Sequence, residues 1–253
     1  MALGTGLIDP TSFTALRIMS GALVLLPFLP RTRPRPWSAV SSIALLFYAL
    51  SFSLAYVTLD TGTGALLLFG TVQFTMIGAG YLRGERSTPV AILGILLAVA
   101  GVVYLCLPGA TAPSPKGASL MIAAGVGWGL YSLSGRKASL PAATTACNFL
   151  SLVPVAMLLM LLFNASATYT GEGFLLACVS GALTSGVGYV IWYATLPRLS
   201  ATSASIVQLA VPVIAAVGGV VFMDERATTR LLVAGVLTLG GVAIALLGNR
   251  KSS

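Results

Sequence analysis

Charge is scarce in this chain and histidine is missing altogether. Of its 253 residues only 8% are charged, against 57% hydrophobic, and the mean hydropathy is +0.97. Soluble domains carry roughly 25% charged residues, so this sequence cannot cover a water-facing surface and its solvent is the lipid bilayer. With no histidine, and with Cys106, Cys147 and Cys178 in three different apolar runs, neither a histidine-based triad nor a Cys/His metal set can be assembled. The cysteines are packing residues, and no metal or cofactor is expected. The six acids all sit near the ends of apolar runs, which removes paired carboxylates for acid–base catalysis and argues against an enzyme. It also removes the buried Asp or Glu that proton-driven carriers use. That favours facilitated export or exchange over tight proton antiport, unless a further helix supplies the group. The net charge of +8 comes from Lys and Arg placed singly or in small groups between apolar runs, where they set topology and do not track phosphates; no nucleic-acid partner is expected.

What is present in abundance is span-length apolar sequence. A helix needs about 20 apolar residues to cross the hydrocarbon core, and runs of that kind lie near 11–29, 38–58, 62–82, 88–107, 117–135, 141–163, 173–194, 202–223 and 229–247. Basic residues favour alternate breaks. Arg31, Arg33, Arg35, Arg83, Arg86, Arg136, Lys137, Arg198, Arg250 and Lys251 fall on one side; Lys116, Arg226 and Arg230 fall on the other. The richer side is cytoplasmic by the positive-inside rule, which predicts a multi-pass protein with a cytoplasmic C-terminus.

The chain also echoes itself. Tyr56-Val57-Thr58-Leu59 matches Tyr193-Ala194-Thr195-Leu196 at an offset of 137, while Glu85-Arg86 matches Glu225-Arg226, and Gly101 matches Gly241, at 140. Weak internal symmetry in apolar sequence marks secondary transporters, whose site lies between the repeats near the midplane. The copies are expected at 1–110 and 116–249. The second holds five spans and the first only four, because Pro10 and Ser20 align with Pro141 and Ser151 at an offset of 131; the expectation is a first copy short of its opening helix, through truncation, a misassigned start or natural variation.

Four stretches carry a family likeness: Pro10-Thr11 through Ala15-Leu16-Arg17; Gly84-Glu85-Arg86 and Asp224-Glu225-Arg226; the Gly94 and Gly101 spacing; and Gly127-Trp128 through Tyr131 to Ser134-Gly135-Arg136. In these the chain resembles the EamA-type exporters of the drug/metabolite transporter superfamily. The resemblance implies an all-α polytopic membrane protein of two inverted five-helix repeats, here about nine transmembrane helices. Its implied activity is export of small metabolites, amino acids or related compounds, across a bacterial-type inner membrane by alternating access, as a monomer or homodimer in the lipid bilayer. One departure is Gln73 where the family often carries a proline, matched by Pro212 in the second copy. The alternative expectation is a truncated, inactive or partner-dependent membrane protein.

Candidate site residues follow from polarity inside the spans. Arg17 is the one basic residue well inside an apolar run, costly there unless it snorkels, pairs with Asp9 or Asp60, or meets an anionic substrate carboxylate. Gln73 and Gln208 lie in corresponding spans of the two copies, and Trp128, Tyr131, Tyr48, Thr71, Tyr189, Trp192 and Asn148 could line a cavity for a small amphipathic solute. Alternatively, the amides serve as interhelical hydrogen bonds, and Tyr104, Tyr169, Trp37 and Trp192 serve as interfacial anchors. Gly80-xxx-Gly84, Gly125-xxx-Gly129 and the run Gly181 to Gly188 suit close helix packing. Pro154 and Pro212 are expected to kink their helices and free backbone carbonyls that can support gating.

Overall fold

The computed structural model describes residues 2–30, 38–82, 88–107, 112–136, 138–163, 167–198, 204, 208 and 210–250. Arg31, Arg33, Arg35, Trp37, Arg83, Gly84, Glu85, Arg86, Lys137 and Lys251 lie outside these. The helices are α1 (Pro10–Leu25), α2 (Ala39–Ala55), α3 (Thr61–Leu82), α4 (Pro89–Cys106), α5 (Pro115–Gly135), α6 (Pro141–Leu162), α7 (Gly171–Val179), α8 (Gly188–Thr195), α9 (Ala210–Met223) and α10 (Thr229–Arg250). A π-helical stretch, Ser180–Val187, joins α7 and α8 without a break. Among the described residues the remaining regular structure is short 3-10 turns and one antiparallel bridge, Ile8 with Tyr169.

The starts of these helices are written locally. Pro10, Pro89, Pro115 and Pro141 occupy first-turn positions, where a missing N–H is no loss and φ is already set. Asp9, Ser38, Thr88 and Thr170 accept hydrogen bonds from first-turn amides, the usual N-cap arrangement. Burial pushes the Asp9 carboxyl up, but hydrogen bonds from Ser12, Thr168 and Thr11 outweigh it and hold the group below the ordinary carboxylate value.

Among the described residues, nine continuous helical segments correspond to the nine spans read from the sequence, α7, the π stretch and α8 counting as one. Pro10–Phe28, Thr61–Gly80, Pro141–Leu162 and Gly171–Arg198 are by themselves long and apolar enough to cross a bilayer. Four further apolar helices run 10–17 described residues. Their outward faces are apolar: Leu161, Val236, Phe222, Ile214, Ile43 and Leu23 are all exposed. Water would not tolerate so much exposed apolar side chain, whereas lipid does. The chain is an all-helical, multi-pass membrane protein.

Two compact units divide the chain, and each takes helices from both halves of the sequence. The first comprises Met1–Val57 with Leu130–Leu199, the second Thr58–Gly129 with Ser200–Ser253. In the first, α1 is central, packing on α2, α6, α7 and the π stretch. Its backbone approaches the π stretch at glycines: a Cβ on Gly181 would stand 2.7 Å from Arg17 Cα, and one on Gly21 would stand 3.0 Å from the Gly181 carbonyl oxygen. Thr184 Oγ1 donates to the Ser180 carbonyl, occupying part of the acceptor that the α ladder would use. In the widened π turn the Gly188 N–H reaches back to Leu183.

In the second unit the most extensive packing is α4 on α10. A Cβ on Gly241 would lie 2.6 Å from the Gly94 carbonyl oxygen, and one on Gly101 would lie 2.7 Å from Thr238 N. The glycines at 94, 101 and 241 thus let the two backbones touch, as small residues do between membrane helices. Gly125 and Gly129 of α5 sit against Thr71 and Thr75 of α3 in the same manner. At the end of α9, Asp224 takes a left-handed φ of 55° and turns the chain back. The Glu225 carboxylate then accepts from Thr61 N at 2.7 Å and Gly62 N at 3.4 Å, capping α3 with charge of the favourable sign. Asp60 lies beside it, and burial first, then the Glu225 charge, raise the Asp60 carboxyl above its ordinary value.

Two predictions follow from this packing. Gly241→Ala should destabilise the protein by about 1–3 kcal/mol through overpacking, lowering the thermal midpoint in detergent. Gly235→Ala, where nothing lies within 4 Å, should be neutral or slightly stabilising. Asp60→Asn should raise the midpoint at pH 7, because ionised Asp60 is held at a cost in the folded state beside Glu225. That gain should shrink as the pH falls through the raised folded value of Asp60 and be gone below its ordinary 3.8, where the wild-type carboxyl is already protonated.

Candidate functional site

Arg17 projects from α1 and is only 6% exposed. Its Nε donates to Ser185 Oγ at 2.6 Å, and its Nη2 donates to Tyr189 Oη at 2.8 Å and Tyr48 Oη at 3.4 Å. The guanidinium lies over the rings of Phe52 and Tyr48, 5.2 and 5.7 Å from their centroids, within cation–π range. Tyr189 Oη in turn donates to Tyr48 Oη at 3.3 Å. The expectation that Arg17 snorkels, or pairs with Asp9 or Asp60, is corrected here. The head is directed into the helix packing, Asp9 is engaged with Thr11, Ser12 and Thr168, and Asp60 neighbours Glu225. Among the described residues every partner of Arg17 is neutral.

Each group reaches this cage for a local reason. Tyr48, Phe52 and Tyr56 recur every four residues on α2 and so share one face, with ring centroids 5.4 and 4.7 Å apart in succession. Ser185 is carried by the π stretch, whose wide turn presents it to α1. Tyr189 stands one turn further on, flanked by Phe149 at 5.8 Å and Tyr131 at 6.1 Å. Tyr131 is fully buried among Tyr193, Thr145 and Asn148, and Tyr193 Oη donates to its carbonyl at 2.8 Å. Asn148 Oδ1 accepts from Ser42, which also bonds Ser151, tying α2 to α6. Sequence reasoning therefore named Arg17, Tyr48, Tyr131 and Tyr189, which the fold brings together, and missed Ser185, Phe52, Phe149 and Tyr193. The four-residue aromatic spacing on α2 was a usable signal for Phe52. Ser185 had none beyond its place in a small-residue run.

The second unit holds its own buried polar pair. Trp128 Nε1 donates to Gln208 Oε1 at 2.9 Å, and Gln208 Nε2 reaches the Ala204 carbonyl at 3.4 Å and Met76 Sδ at 3.9 Å. Gln73 is fully buried in α3. Thr71 donates to the Leu67 carbonyl of its own helix. Trp192 is no free interfacial anchor, since its Nε1 donates to Ser132 at 3.2 Å; Tyr104 carries the Arg230 guanidinium 5.9 Å from its ring centroid, and Tyr169 is exposed. Pro154 lies inside α6 on an exposed face. Pro212 is buried and lines a groove of about 640 Å³ with Gly62, Leu66, Val217, Leu231 and Val236. That groove is almost wholly apolar, the character of a lipid-facing crevice and not of a polar solute site.

These buried hydrogen-bonding groups lie within apolar helices, several of them long enough to span a bilayer. The sequence model of the EamA-like transporter family matches residues 115–247, and the chain belongs to that family. An uncharacterised protein of Pseudomonas aeruginosa is 48% identical over 97% of this chain and 87% of its own length. The threonine/homoserine exporter RhtA of Escherichia coli is 27% identical over 96% of this chain and 82% of its own. A protein of Streptantibioticus cattleyicolor named a probable terminal-alkyne amino-acid exporter is 27% identical over 88% and 76%. A solved crystal structure superposes with a TM-score of 0.70 at 25% identity, covering 96% of this chain and 91% of its own. This chain is accordingly a small-molecule exporter of the EamA family, embedded in the membrane.

Ser185→Ala leaves the Arg17 Nε–H buried without its acceptor, so it should cost about 1.5–3 kcal/mol. Ser180→Ala, at a half-buried position outside the cage where the hydroxyl bonds Thr184, should cost less, about 0.5–1 kcal/mol. Thermal unfolding in detergent separates the two.

Proposed function

We propose that this protein exports amino acids or closely related small metabolites across a bacterial-type inner membrane, with its C-terminus in the cytoplasm, by alternating access between two inverted sequence copies. The observation that carries the reading is the Arg17 cage. An interior devoted only to helix packing would be filled more cheaply by apolar side chains, yet here an arginine, a serine and two tyrosine hydroxyls converge within the span region. The relatives named as exporters of threonine, homoserine and an alkyne-bearing amino acid support the same class of cargo. The bias of basic residues to alternate breaks supports the orientation.

Among the described residues, no Asp or Glu lies within a helix beyond its first turn. Export in this reading runs down the cargo's own gradient, or by exchange, without a membrane-buried carboxylate to carry a proton. Reconstituted in proteoliposomes, the protein should move labelled threonine or homoserine, and counterflow should persist at a rate within about twofold when the pH gradient is collapsed. Absence of any movement of either compound, from protein that remains folded, would contradict the proposal.

A further inference from the structure

We infer that Arg17 is a carboxylate seat: the cargo binds through a carboxylate that becomes the missing counter-charge of this arginine. The inference rests on the exporter reading above and narrows its substrate class. A guanidinium offers five N–H donors in a fixed fork. Three are used, Nε by Ser185 and the pair on Nη2 by Tyr189 and Tyr48. Among the described residues, Nη1 donates to no partner. The residue is only 6% exposed, and aromatic faces and neutral hydroxyls soften the cost of burying its charge without cancelling it. Burying a cation among neutral partners leaves part of its desolvation uncompensated, so an arriving anion offsets that cost.

The geometry favours a planar, bidentate anion over a point charge. One carboxylate oxygen can take Nη1, and the second can take Nη2 by displacing the Tyr48 contact, which at 3.4 Å is the longest of the three. Ser185 and Tyr189, at 2.6 and 2.8 Å, then hold the fork in orientation while the anion binds. Lysine would keep the charge and lose the fork. Tyr48, Phe52 and Phe149 flank the cage with ring edges and faces, which suits the short aliphatic part of a small acid and excludes nothing by charge. The specificity predicted is for the carboxylate, with the side chain of the cargo read less strictly.

The test uses full-length protein in detergent and in proteoliposomes, with L-threonine, L-homoserine, L-threonine amide and 1-amino-2-propanol as probes. Thermal unfolding should show that threonine raises the wild-type midpoint at concentrations at least tenfold below those needed with its amide. In Arg17→Lys and Arg17→Gln that preference should fall at least tenfold, the size expected for losing hydrogen bonds to a charged group. Transport should follow the same order. Equal stabilisation of the wild type by acid and amide, or an undiminished preference in Arg17→Gln, overturns the carboxylate seat. If both variants fail to fold, the wild-type comparison of acid with amide decides alone. Transport of all four probes without preference overturns this inference and leaves the exporter reading standing. Preferential binding of the acids with no transport of any probe sinks the exporter reading and leaves the seat.

Discussion

Placing one positive charge inside an apolar helix bundle is the constraint around which the first unit is organised. The cost of desolvating Arg17 falls only if its N–H groups find oxygen and its face finds aromatic rings, and these come from helices other than its own. α1 supplies the arginine, α2 supplies Tyr48 and Phe52, the π stretch supplies Ser185 and α8 supplies Tyr189. The glycine contacts at Gly21 and Gly181 are what permit α1 to lie close enough to the π stretch for the 2.6 Å bond. Regular α geometry through Ser180–Val187 would rotate Ser185 away from α1, since each residue added to a turn shifts the side chains beyond it. Helix irregularity, close packing and a buried cation are thus one arrangement.

The second unit is built on a different economy. Its packing relies on bare backbone contact at Gly94, Gly101 and Gly241, and Glu225 sits at a helix end where the dipole and first-turn amides favour an anion. Trp128 and Gln208 satisfy each other in its interior. Charge in this unit is kept at the helix ends, and the interior holds only neutral polar groups among its described residues. The duplicated Glu-Arg and Gly signals of the sequence therefore have concrete work at 225 and 241: one caps a helix and the other admits a neighbour.

Much of this was legible before any coordinates. Prolines and N-cap residues mark helix starts by local chemistry, and lipid demands long apolar runs, so span positions follow from the sequence with small errors. Arg17 stood out because a lone charge in an apolar run is conspicuous. What could not be read was its partnership. Proximity in sequence suggested Asp9, but a capping carboxylate is already committed to its own helix, and the true partners lie 31, 168 and 172 residues away. Ser185 was hidden because a serine among glycines looks like packing, and no apolar periodicity reveals the π geometry that presents it to α1. Tyr193 escaped notice for a related reason. It had registered as a repeat marker, whereas its hydroxyl secures the Tyr131 carbonyl.

The most direct measurement is a solid-state NMR distance in lipid between the guanidinium carbon of labelled Arg17 and the carboxylate carbon of labelled threonine. A bidentate pair predicts a separation of about 4 Å, strong dipolar dephasing and its loss in Arg17→Lys. Protein that transports threonine while showing no coupling between the two carbons would contradict the account, and would return Arg17 to a purely structural part in the bundle.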